Sequence, residues 1–167
     1  KIGQLVESGV EQGANLVVDG RNFNLQGYEN GFFIGAHLFD NVTPDMDIYK
    51  QEIFGPVLST VRAKSYEEAL KLAMDHEYGN GTAIFTRDGD TARDFANRIN
   101  IGMVGINVPI PVPLAYHTFG GWKKSAFGDL NQHGPDAFKF YTRTKTVTSR
   151  WPSGIKEGGE FSIPIME

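Results

Sequence analysis

The stretch VLSTVRAKSYEEALKLAMDHEYGNGTAIFTRDGDTARDFANRINIGMVGIN, residues 57–107, decides the fold. Three short apolar runs, at 57–61, 82–85 and 103–107, have strand character. Two longer segments with helical spacing separate them. In the first, Ser65 and Glu68 form a capping box, each side chain satisfying an orphan backbone N–H. Tyr66, Ala69, Leu70 and Ala73 make the stripe expected to be buried, and Gly79 follows the end of that helix. In the second, Asp90 is the expected cap. Ala92, Phe95, Ala96 and Ile99 follow at i, i+3, i+4 and i+7, with Gly102 after them. Strands alternating with helices of this length indicate βαβ units, so the expected fold class is α/β with a parallel sheet.

Outward from that stretch the signals are shorter. Ile2, Leu5, Val6 and Val10 recur at helical spacing before Gly13, and 16–18 reads as a strand ended by Asp19-Gly20. A polar loop is expected over 21–31, a strand over 32–39, and a helical turn from Thr43-Pro44 through Ile48. Beyond Asn107, Pro109, Pro111 and Pro113 open a loop running to about Gly134. A short helix is expected over 136–141, an alternating strand over 144–151, and an extended tail from Pro152.

Length and composition fit one ordinary domain: 167 residues, 40% hydrophobic and 22% charged. With a net charge of −4, no general field favours nucleic acid or an anionic membrane. The basic stretch 122–156 scatters its charges, as a solvated face does, and is a weak candidate for phosphate binding. No apolar run reaches the ~18 residues a span needs, and no basic-then-apolar leader appears. A cytoplasmic protein is therefore expected. The chain opens at Lys1 inside a helical pattern, which reads as a piece of something longer. There is no cysteine, which excludes disulfides, cysteine-ligated zinc and a thiol nucleophile within these residues.

Histidines 37, 76, 117 and 133 lack metal-binding spacing, so no metal site is expected. His37 reads as a satisfied core residue and His76 as a helix-end residue, while His117 and His133 lie in the long loop. No G-x-S-x-G elbow, P-loop or G-x-G-x-x-G cradle is present. In an open α/β sheet, ligands sit beyond the carboxyl ends of the strands. The loop after Asn107 and the Phe119-Gly120-Gly121 pair are the candidates there; two glycines permit a close backbone approach but equally a plain tight turn. One odd feature remains, the acid–aromatic pair Glu52 and Phe54 in KQEIFGPVLST, residues 50–60. A helix-end charge beside a core phenyl is one reading, and a grip on a ligand with both a sugar and a flat ring is another.

Three motifs in order resemble the aldehyde dehydrogenase superfamily. QEIFGPV at 51–57 resembles its E-I-F-G-P signature. INVPIPVPLAYHTFGGWKKS at 106–125 is similar to its later Asn, substrate loop, Phe-Gly-Gly and Lys-x-Ser segment. FYTRTKTVTSRW at 140–151 resembles its Tyr-x-x-x-Lys-x-Val strand. SAFGDLNQHG departs from the Gly-x-Gly-Arg-Glu continuation of most members, and this region is similar to the CoA-acylating branch that acts on methylmalonate semialdehyde.

The resemblance implies that residues 1–142 are the C-terminal part of a catalytic domain, 143–151 an oligomerisation strand and 152–167 an extended tail. It implies that Glu52 binds the nicotinamide-ribose hydroxyls of NAD and that Phe54 packs beside the nicotinamide. Asn107, Val108, Pro109, Ile110 and Phe119 would shape the substrate pocket. Coenzyme A would be the acyl acceptor, a small aldehyde the substrate, and the partners the rest of its own chain and further copies in a homodimer or homotetramer. The family's nucleophilic cysteine would lie upstream, leaving this segment inactive by itself. A hydrolytic, NAD(P)-dependent aldehyde dehydrogenase and a non-catalytic α/β binding module are the other readings.

Overall fold

The computed structural model describes residues 1–151, and the expected extended tail at 152–167 lies outside them. Helix α1 (Ile2–Glu11) turns Leu5, Val6 and Gly9 inward, onto a sheet made by β1 (Asn15–Val18), β2 (His37–Asp40) and β3 (Val57–Ser59). Strand β1 runs antiparallel to β2, and β2 parallel to β3 with His37 opposite Val57. Leu5, Val6, Ala14, Phe39, Val42, Met46 and Ile48 form the first core. Gly9 is where α1 comes closest: a Cβ there would lie 2.8 Å from the Ile48 side chain and 3.1 Å from the Phe39 ring. Helix α2 (Asp47–Lys50) is tied to α1 by Asp47, which accepts from Ser8 Oγ at 3.0 Å and Gln12 Nε2 at 3.1 Å.

The second core lies under α3 (Tyr66–Asp75) and α4 (Gly89–Arg98), against β5 (Gly81–Ile84) and β6 (Met103–Ile106). Leu70, Phe95, Ile99 and Ile101 are its buried members, with Tyr66, Ala73, Ile84 and Val104 packed around them. Strands β5 and β6 pair in parallel from Gly81–Met103 to Ile84–Ile106. A two-residue strand β4 (Tyr78–Gly79) pairs antiparallel with β7 (Trp122–Lys123), and α5 (Asp136–Tyr141) follows the long loop. Among the described residues no helix is long and apolar enough to cross a membrane.

The chain is thus mixed α/β, and β5–α4–β6 is a true βαβ unit. The expected single parallel sheet over 57–107 is not formed. Strand β3 pairs with β2 and β5 pairs with β6, in separate sheets. Both β3 and β5 border a groove of about 690 Å³ whose walls include Ser59, Val61, Gly81 and Thr82. Periodicity reports which residues are strands but carries no information on which edges meet.

Other differences are local. The expected strand at 32–39 shrinks to His37–Asp40, and Phe32, Phe33 and Ile34 are exposed. Helix α4 is capped by Asp88, whose carboxylate accepts from Asp90 N, rather than by Asp90. Ser65 caps α3 by accepting from Glu68 N at 3.2 Å, but Glu68 reaches back to Lys64 N instead of closing the box on Ser65. Ala69 and Ala96 are exposed, so each buried stripe is narrower than expected. Helix α3 ends at Asp75 with His76 in an extended conformation, and Gly79, which follows that end, belongs to β4. His37 is buried at 3% exposure, yet neither ring nitrogen has a hydrogen-bond partner among the described residues, so it is a core histidine but not a satisfied one. No regular element forms over 142–151, whose residues are exposed; a strand acquires its ladder only from a partner.

Candidate functional site

The site is built on the turn from α2 into β3. Helix α2 stops at Lys50, and Gln51 is already extended. Ile53 packs against the first core and fixes the segment. Gly55 sits where a Cβ would come within 2.5 Å of Ile2 Cδ1, so the Gly-Pro break lets the strand entry pass close over α1. With Ile53 turned inward, Glu52 and Phe54 are both exposed. Phe54 is 88% exposed, so it is not part of the core that this chain forms.

Glu52 lines a pocket of about 510 Å³ together with Tyr49, Gln51, His76, Tyr78, Asn80, Lys124 and Ser125. Its carboxylate has no hydrogen bond or ion pair among the described residues. Around it stand amide, hydroxyl and ammonium groups, a wall suited to a polyhydroxylated ligand. Phe54 does not line this pocket, and neither do Asn107, Val108, Pro109, Ile110 or Phe119. The sequence-predicted site residues are therefore not gathered into one cavity by this chain.

Two segments distant in sequence make the wall that faces Glu52. His76 orders the first: its Nε2 bonds the Tyr49 carbonyl at 3.1 Å, and its Nδ1 accepts from Tyr78 N at 3.2 Å. Since a carbonyl only accepts, this is the neutral tautomer with hydrogen on Nε2. The ring also meets Tyr49 edge-on, with centroids 5.2 Å apart. The second segment is held to the first by Gly79 N donating to Ser125 Oγ at 3.0 Å and Lys124 N donating to Glu77 O at 3.1 Å. Lys124 also pairs with Glu77 at 2.5 Å; this pair lowers the Glu77 pKa and raises that of Lys124. Both groups are well exposed, so the pair orients more than it stabilises.

Asn107 has a left-handed backbone, φ +58°. Its side chain is spent on the neighbouring turn, with Oδ1 accepting from Thr86 N at 2.9 Å and Nδ2 donating to Thr86 O at 3.0 Å. That clamp sets the exit of β6 and the start of the exposed segment Val108, Pro109 and Ile110. Phe119 stacks on His133, ring centroids 4.1 Å apart. The two glycines after it are close-approach positions rather than a simple turn. Neither has a left-handed φ, Asn131 fills the space of a Gly120 Cβ, and Ser125 Cβ lies 2.6 Å from that of Gly121.

Sequence reasoning missed Tyr49, His76, Tyr78, Asn80, Lys124 and Ser125 as pocket walls. Only the Lys-x-Ser after Phe-Gly-Gly hinted at them; nothing in local spacing announces that 76–80 and 122–125 pair. Among the described residues no cluster of histidine, aspartate or glutamate could hold a metal ion.

The aldehyde dehydrogenase family model matches residues 1–147. A malonate-semialdehyde dehydrogenase of Pseudomonas aeruginosa is 61% identical over 99% of this chain and 34% of its own length. The bovine mitochondrial acylating methylmalonate-semialdehyde/malonate-semialdehyde dehydrogenase is 47% identical over 99% of this chain and 30% of its own. Among solved structures, a Sinorhizobium meliloti protein described as a methylmalonate-semialdehyde dehydrogenase, complexed with NAD, superposes with a TM-score of 0.86 at 79% identity. That match covers 93% of this chain and 32% of the other. The chain thus spans about a third of the length of the relatives it matches.

Proposed function

The chain belongs to the aldehyde dehydrogenase family, and from that premise we propose that it is the C-terminal third of an NAD-dependent, CoA-acylating dehydrogenase of malonate or methylmalonate semialdehyde. Its sequence falls with the malonate- and methylmalonate-semialdehyde dehydrogenase branch. One observation carries the cofactor assignment: an exposed carboxylate, Glu52, without a partner among the described residues, in a polar pocket of about 510 Å³. Ribose hydroxyls are donors that such a carboxylate accepts, and charge-assisted bonds are the stronger kind.

NAD supplies the hydride acceptor when bound. The part of this chain is to hold it. Glu52 takes the ribose hydroxyls, Asn80 and Ser125 offer further polar contacts, and Phe54 is left exposed beside the turn to face the ring. The thiol that opens the reaction in this family is absent from these residues and belongs to the upstream part of the protein. The balanced reaction takes semialdehyde, NAD and coenzyme A to acyl-CoA, carbon dioxide and NADH. Asn107 acts in it by shaping the loop of Val108, Pro109 and Ile110, which with Phe119 borders the aldehyde path once the rest of the protein is in place. Residues 143–151 are assigned to pairing with a second copy in a homodimer or homotetramer, on their alternating pattern and their exposure without a ladder. A cytoplasmic setting completes the proposal.

In the full-length enzyme, Glu52→Gln keeps an acceptor and removes the charge. NAD affinity should fall by roughly tenfold, about the value of one charge-assisted hydrogen bond, and single-turnover hydride transfer should slow. Unchanged affinity and rate would remove Glu52 from the cofactor site. Hydride transfer precedes attack by coenzyme A, so an acylating enzyme gives at most a single-turnover burst of NADH without coenzyme A; sustained NADH production without it would instead identify a hydrolytic enzyme.

A further inference from the structure

Helix α3 ends without help from its own sequence. Its last turn has no basic residue, and His76 leaves it in an extended conformation. The final carbonyls of a helix need partners and favour a cation. Lys123, some fifty residues later, supplies both. Its Nζ donates to the carbonyls of Ala73 at 3.3 Å, Met74 at 2.7 Å and His76 at 3.0 Å. All three ammonium hydrogens are thereby engaged. To reach there, Lys123 takes a left-handed backbone, φ +54°, and lays its stem over Gly79, whose Cβ position is 3.3 Å from Lys123 Cδ. A non-glycine residue holds such a conformation only where the surroundings over-determine it.

The carbonyls that Lys123 gathers lie just before 76–80, at Ala73 and Met74, and at its first residue, His76; its own neighbours in sequence are Lys124 and Ser125. Those two segments are the wall that faces Glu52. Lys123 itself does not line the pocket. We infer that Lys123 is a positioning residue for the Glu52 pocket: its triple cap on α3 locks 76–80 to 122–125 and so sets the spacing across which the cofactor's ribose is gripped. The inference rests on the assignment of that pocket to NAD.

The test uses the full-length enzyme. Lys123→Met keeps the stem over Gly79 and removes the ammonium. The NAD Kd should rise about tenfold, as for one lost charge-assisted bond, with kcat at saturating NAD held within about twofold because no reacting atom is touched. Amide exchange should quicken in peptides covering 76–80. Lys123→Arg restores a cation but not the fit of one nitrogen to three converging carbonyls, so its Kd should fall between; if the methionine variant does not fold, this variant gives the same reading. Arg98→Gln removes the bridge from α4 to Glu67 in the first turn of α3, and should leave the NAD Kd unchanged. Faster exchange at 76–80 with an unchanged Kd would overturn the inference, as would a raised Kd without altered exchange, which would make Lys123 a direct contact. Glu52→Gln separates the two levels. If it weakens NAD and the Lys123 variants do not, only the positioning role fails; if it leaves NAD binding untouched, the pocket assignment falls and takes this role with it.

Discussion

Replacing Asn107 distinguishes a clamp from a substrate contact. Two hydrogen bonds join its amide to Thr86, and its own N–H continues the ladder to Ile84 O at 2.8 Å. Asn107→Ala removes both side-chain bonds, worth ~0.5–1.5 kcal/mol each and toward the low end at an exposed site. It also leaves alanine at φ +58°, a conformation costing an ordinary L-residue roughly 1 kcal/mol. The expected loss is thus about 2–3 kcal/mol, felt locally at the β6 exit. Asn107→Gly escapes the strain but not the lost bonds. Asn107→Asp tolerates the backbone and still accepts from Thr86 N, while setting a carboxylate oxygen against the Thr86 carbonyl. Hydrogen exchange at the Thr86 amide should therefore accelerate, by roughly fivefold for each kcal/mol of local opening, in the alanine and glycine variants, and stay slow in the aspartate variant. The apparent KM for the aldehyde should follow the exchange data, because the loop at 108–110 hangs from this clamp. If alanine left Thr86 protected while KM rose, the amide would be turned to substrate and the clamp would be wrong.

Two further substitutions probe the scaffold. Leu70 is 1% exposed at the centre of the second core, so Leu70→Ala should cost about 2–5 kcal/mol in denaturant unfolding; a loss below about 1 kcal/mol would mean that α3 packs elsewhere. Asp40, hydrogen-bonded by the Arg62 guanidinium and by Asn41 N, has its pKa lowered to about 2. A depressed carboxylate stabilises the fold above its unfolded pKa of ~3.9, and that stabilisation is lost as pH falls toward the folded value. Arg62→Gln should therefore start acid unfolding at a higher pH; superimposable acid titrations of the two proteins would count against the bridge.

The elements that could be read from sequence were those whose information is local. Helices α3 and α4 announced themselves because Leu70, Phe95 and Ile99 repeat with the helical period and Ser65 caps its own first turn. Strand β2 begins later than its apolar run because Phe32, Phe33 and Ile34 are apolar without being covered in this chain; hydrophobicity marks what is to be buried, not what buries it. The pocket was half legible. Glu52 and Phe54 stood out as a pair, but Ile53, the residue between them, does the packing that leaves both exposed. The facing wall depends on Gly79 meeting Ser125 across 46 positions, a contact that no window of sequence contains. The sequence places Asn107 at a strand end, whereas its action comes from a positive φ that asparagine tolerates better than most residues.

The bare edges of β3 and β5 make concentration a variable in handling this polypeptide. Each edge offers a row of backbone donors and acceptors without a ladder among the described residues, and such a row will pair with any chain that presents another. Pairing between copies grows with protein concentration, while folding of a single copy does not. Dilution during refolding, or supply of a covering chain in trans, should then decide whether residues 1–167 are recovered as monomer or as precipitate.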